Sequence, residues 1–125
     1  MEILAPISVG ELIDKITILR LKAERLTDPA KLANVGRELS RLEALARDLP
    51  RTPEFEALTA RLQALNATLW DIEDAKRRHE REGRFDADFI ELARQVYLRN
   101  DERAALRRAL SVAAGSDIVE EKSHG

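Results

Sequence analysis

The sequence predicts an all-α protein, a compact bundle of four to five helices with a long third helix and a short, partly extended C-terminal tail. Three observations carry this. Helix formers fill the chain, and only four prolines and five glycines interrupt them. Those breakers fall largely where one apolar stripe stops and the next starts. Within each stripe, apolar residues return at alternating spacings of three and four, the period of a helix with one buried face. At 125 residues the chain has the common size of one domain, and residues 1–125 read as a single one. That length buries a core without staples.

The first helix is expected over residues 9–26. In "PISVGELIDKI", Ser8 and Glu11 have capping-box spacing, so Ser8 accepts from the Glu11 amide while Glu11 reaches back. Leu12, Ile16, Leu19, Ala23 and Leu26 line one face, and Ile13, Ile18 and Leu21 widen it almost all round, which marks a central helix. Gly10 costs it some helix propensity. Asp28 as cap and Pro29 at the first position open a second helix over 29–48, with Leu32, Val35, Leu39, Leu42, Ala46 and Leu49 as its stripe. Gly36 inside it either weakens the helix or allows close packing.

Thr52 and Pro53 repeat the device for a third helix over 53–82, about 45 Å long at the α-helical rise. Gly83 ends it, and Asp86 caps a fourth over 86–98 whose apolar face is Phe89, Ile90, Ala93, Val96 and Tyr97. Asn100, followed by Asp101 and Glu102, is a strong start signal for a short fifth helix over 101–110, although the fourth could also run straight through. Residues 111–125 form the tail. Residues 2–8 and 117–121 are short enough to pair as a small terminal ribbon. "NDERA" and "VEEKS" are both charge-rich and are expected to meet in space.

Composition removes several functions. There is no cysteine, so disulfides and thiolate metal sites are excluded. His79 and His124 are the only histidines, too few for a conventional zinc site, and no Glu-x-x-His pair marks a di-iron bundle. No metal or cofactor is expected. Basic and acidic residues total 21 and 23 and stay balanced along the chain, so no basic stripe predicts nucleic-acid binding. No apolar run approaches the roughly 20 residues of a membrane span, and the start lacks a signal-peptide pattern, so a cytoplasmic protein is expected. The serines near the tail have no glycine elbow, and "GSD" is not a phosphate loop.

The stretch "LWDIEDAKRRHEREG", residues 69–83, is where polar residues enter the third stripe. At 100° per residue, Glu73 lies about 40° from the Leu69 axis, with Trp70, Arg77 and Asn66 along its border. Asp71 and Asp74 point to water, so the three acids do not converge. Glu73 reads most plainly as a core-edge carboxylate paired one turn on with Arg77. The functional reading joins Arg20, Glu73, Arg77, Arg94 and Tyr97 in a pocket for a carboxylate or phosphate. Trp70 reads as core or interface packing, including a twofold dimer. His79 reads as a helix-end residue, favoured in its protonated form by the dipole.

The blocks "ISVGELIDKITIL", "LWDIED", "FIELAR", "NDERA" and "VEEKS" resemble a family of small uncharacterised bacterial proteins over nearly the whole chain. The resemblance implies a compact bacterial domain without an assigned activity. Its matching positions include Glu11, Asp14, Trp70, Glu73, Arg94, Tyr97, Asn100, Asp101, Arg103, Glu120, Glu121 and Lys122. "ELIDKITILRLKAERL" is also superficially similar to the first helix of all-helical chorismate mutases, with Arg20 and Lys22 as the analogous polar residues. Two functions are therefore expected to compete. The first is a helical accessory or protein-interaction module, with Trp70, Asn100, Asp101, Arg103, Glu120, Glu121 and Lys122 in docking. The second is a small enzyme or binding domain for an anionic metabolite: a phosphosugar, nucleotide or dicarboxylate.

Overall fold

A computed structural model of the protein describes residues 1–124. Four helices follow in order, α1 (Val9–Arg25), α2 (Pro29–Ala46), α3 (Pro53–Glu82) and α4 (Ala87–Ala113). Each begins at the predicted cap. The side chains of Ser8, Asp28, Thr52 and Asp86 accept the amides of Glu11, Lys31, Phe55 and Phe89 at 3.1–3.2 Å. Gly83 and Gly115 take left-handed φ values of 66° and 67° and close α3 and α4. In both turns a 6→1 bond forms, Arg84 to His79 and Ser116 to Ser111.

The separate fifth helix does not exist: α4 runs unbroken through Asn100. The Asn100–Glu102 signal is real, but no glycine or proline stops the helix before it. Arg99 also pairs with Glu102 one turn on at 2.9 Å, which supports continuity. The terminal ribbon is absent too, since no strand occurs among the described residues. Instead Glu2 contacts Arg41 on α2, while the tail lies along α4.

α1 is the hub. It packs against α2, α3 and α4, whereas the backbone of α2 comes close to that of α1 alone among the helices. The nearly all-round apolar surface of α1 is the cause, with Leu12, Ile13, Ile16, Leu19 and Leu21 all buried. Phe55, Leu58, Leu62 and Leu65 of α3 and Leu106 and Leu110 of α4 complete the core. No core residue lies between Trp70 and Ala105. The second half of α3 and the first half of α4 therefore continue past the core as a paired arm. His79 is buried at its tip: Nδ1 donates to the Arg84 carbonyl at 3.0 Å and Nε2 accepts from the Arg84 guanidinium at 3.1 Å. Phe89 stacks beside His79, and Phe85 packs edge-on to Phe89 at 5.3 Å.

At the opposite end, the start of α1 is buried against the end of α4. Gly10 donates its amide to Ser111 Oγ at 2.9 Å, and Val9 to Ser116 Oγ at 3.2 Å. With Ser8, three serine hydroxyls satisfy the free amides of the first turn. A Cβ at Gly10 would collide with the Arg107 carbonyl, so the glycine is what lets the two backbones approach. Gly36 is different, because a Cβ there meets nothing within 4 Å and close packing does not explain it.

The two helical glycines should respond oppositely to alanine. Gly10→Ala forces α1 and α4 apart and should cost about 1–3 kcal/mol of unfolding free energy. Gly36→Ala should add about 1 kcal/mol through propensity alone. Urea denaturation of both variants checks this, and a neutral Gly10→Ala would contradict the close approach.

Candidate functional site

Asp14 is buried where α1 meets α3 and α4, at 3% exposure. Arg103 Nε lies 3.1 Å from each carboxylate oxygen and its Nη2 is 2.6 Å from Oδ2. Arg107 Nη1 adds a contact at 3.2 Å. From α3, Asn66 donates to Asp14 Oδ1 at 2.8 Å and to Thr17 Oγ1 at 2.9 Å. The Thr17 hydroxyl donates to the Asp14 carbonyl. Burial alone would push the Asp14 carboxyl up. The hydrogen bonds from Arg103 and Asn66, with the charges of Arg103 and Arg107, outweigh burial and hold it below the usual carboxylate range. An ionised carboxylate saturated with donors is a poor base, so this cluster fastens helices together.

Above it, between α1 and the first turns of the arm, lies an open cleft of about 340 Å³. Ile18, Leu21, Leu69 and Trp70 make its apolar walls, Glu73, Asp74 and Arg77 its rim, and Asn66 and Arg103 its inner end. Arg25 sits 5.6 Å from the Trp70 ring and pairs with Asp71 at 2.7 Å. Glu73 and Arg77 thus share a cleft, but they do not form the expected pair. Glu73 lies 3.4 Å from Lys76 instead, and Arg77 has no ion-pair partner among the described residues.

The remaining members of the five-residue pocket lie elsewhere. Arg20 faces a second cleft on the α2 side of α1. It is exposed there, away from the polar seam of α3 that carries Glu73 and Arg77. Arg94 pairs with Glu91 at 2.9 Å beside an exposed Tyr97 on the outer face of the arm. Of the expected docking residues, Trp70 and Arg103 reach the first cleft, and Asn100 Oδ1 lies 3.5 Å from Arg103.

"NDERA" and "VEEKS" do meet. Lys122 pairs with Asp101 at 2.9 Å, Glu121 with Arg108 at 2.6 Å, and Glu120 with Arg107. Glu11 does not complete the capping box by reaching back to Ser8. Its carboxyl hydrogen-bonds Glu120, and that bond, then burial, pushes the Glu11 pKa up. The tail is therefore tied through Glu120 and Arg107 to the Asp14 cluster. No group of three His, Asp or Glu side chains suited to a metal ion occurs among the described residues. No described helix is long and apolar enough to cross a membrane.

Sequence reasoning passed over the role of Asp14, Arg107, Asn66 and Thr17. One signal was available, since a carboxylate on a helix apolar almost all round has little water to face.

Fold and site together define a small α-helical protein with an ion-locked core, an overhanging two-helix arm and a strapped C-terminal tail. The chain belongs to the family of unknown function DUF6165, whose model matches residues 3–125. Comparison with curated proteins and with solved structures gives no match. The likeness of α1 to chorismate mutases finds no support, because the family that matches nearly the whole chain is a different one.

Because the Asp14 pKa is depressed on folding, its contribution is complete above the unfolded-state value. It is lost as pH falls through the folded one. Asp14→Asn should lower the unfolding free energy near neutral pH by about 3–5 kcal/mol, since it leaves Arg103 without a carboxylate and Arg107 with Glu120 alone. That loss should shrink as the pH is lowered into the carboxylate range. Denaturation of both proteins across pH measures it, and a pH-independent difference would contradict the ionised cluster.

Proposed function

We propose that this protein is an interaction module that engages a protein partner through the outer face of the α3–α4 arm. The supporting observation is the mismatch between the apolar face of α4 and what covers it. Phe89 and Val96 turn inward and are half-buried, but Ile90 is 58% and Tyr97 55% exposed. These two stand seven residues apart, about 20° from one another on one helical face. Phe85 and Leu98 extend the exposed surface at the tip and along the edge. The arm adds nothing to the core, yet it is firmly capped at Gly83 and Asp86 and clamped by His79. A rigid overhang with uncovered large apolar side chains suits a contact with another protein. The bacterial and cytoplasmic setting expected from the sequence belongs to the same proposal.

A photo-crosslinking residue at position 90, introduced in the producing cell, tests this against the same residue at Glu38 on exposed α2. A discrete adduct should form from position 90, weaken when Tyr97→Glu is added, and be missing from position 38. Its mass tells a second copy of this chain from a different protein. No discrete adduct from position 90, or equal adducts from both positions, would contradict the reading.

A further inference from the structure

The backbone of α2 stays close to α1 and apart from α3, and a cleft of about 670 Å³ lies between them on the far side of α1 from Trp70. Its back wall is apolar, with Ile13, Ile16, Leu39 and Ala46. Three exposed arginines line it, Arg20, Arg47 and Arg51, against one acidic residue, Glu43. Arg20 and Arg47 have no ion pair among the described residues, and Arg51 has only a 3.4 Å contact with Glu56. Three cations on one cleft repel one another unless an anion joins them.

Helix chemistry accounts for part of this. Arg47 and Arg51 follow the last turn of α2, where cations complement the dipole, and Arg51 Nη2 lies 3.4 Å from the Ala46 carbonyl. It does not account for Arg20, which comes from another helix. Nor does it account for Gly36. That glycine lies on the cleft wall in mid-helix, where glycine costs about 1 kcal/mol relative to alanine. Nothing occupies the space its side chain would take. A side chain longer than alanine's at this position would enter the cleft, and neither packing nor backbone geometry asks for the glycine.

We propose that this cleft binds a phosphorylated small molecule. Its phosphoryl group sits among Arg20, Arg47 and Arg51, and its less polar part lies on the Ile13–Ile16–Leu39 wall. Guanidinium forks match phosphate oxygens, and three of them suit a group of charge near −2 better than a single carboxylate. The volume falls within the range of small-molecule sites.

Calorimetric titration of the full chain with inorganic pyrophosphate, alongside succinate, tests the proposal. Pyrophosphate should bind saturably and more tightly than succinate. Arg20→Ala and Arg47→Ala should each weaken it at least about tenfold. Arg61→Ala, an exposed arginine elsewhere on α3, should leave it unchanged. Gly36→Leu should block the cleft while the melting temperature is kept, and Gly36→Ala should bind like the wild type. No saturable binding, binding that survives Arg20→Ala, or equal affinity for succinate would overturn the assignment. Tyr97→Glu should not alter the titration, so this result stands or falls separately from the arm.

Discussion

Asp14 places a negative charge on a helix that otherwise presents aliphatic side chains in nearly every direction, and the way this charge is satisfied governs how the other helices sit. Moving a carboxylate out of water costs several kcal/mol, and only well-aligned donors recover it. Here they come from two different helices, Arg103 and Arg107 on α4 and Asn66 on α3. Sliding α3 by one turn would take Asn66 from the ion, and sliding α4 would leave it one arginine instead of two. Gly10 sets the separation along the same seam, by letting the Arg107 carbonyl come against α1. Charge fixes the register, and the missing side chain fixes the distance.

The rest of the shape follows from where that locked core ends. α1 stops at Arg25, while α3 and α4 continue as a pair. Beyond Leu69 they have no third helix to bury against, so stability there rests on their mutual packing and on the closed turn between Gly83 and Asp86. The step where α1 ends makes the Trp70 cleft. The gap between the backbones of α2 and α3 makes the arginine cleft. Both clefts arise because one short helix serves three neighbours and cannot fill the space between all of them.

The features legible in the sequence were those that act over a few residues. Ser8, Asp28, Thr52 and Asp86 announced every helix start, because a cap bonds an amide three residues on. The central role of α1 could be read from its width of apolar surface. The features that escaped depend on partners far away in the chain. Asp14 and Arg103 are 89 residues apart, and nothing local says which arginine will meet which acid. Glu73 pairs with Lys76 and not with Arg77, although Glu73 and Arg77 line the same cleft. At Asn100 a strong local start signal was overridden, since no glycine or proline breaks the chain before it and Arg99 pairs with Glu102 across the junction.

The account's central claim is that the Asp14–Arg103 contact is an energetically coupled lock between α1 and α4. A double-mutant cycle measures that coupling directly, using Asp14→Asn, Arg103→Gln and the double variant, each unfolded in urea at neutral pH. A coupling energy of about 2–3 kcal/mol is predicted, the upper part of the range for contacting residues in one network. Additive effects, with coupling below about 0.5 kcal/mol, would show that the two side chains only happen to be neighbours and would contradict the account.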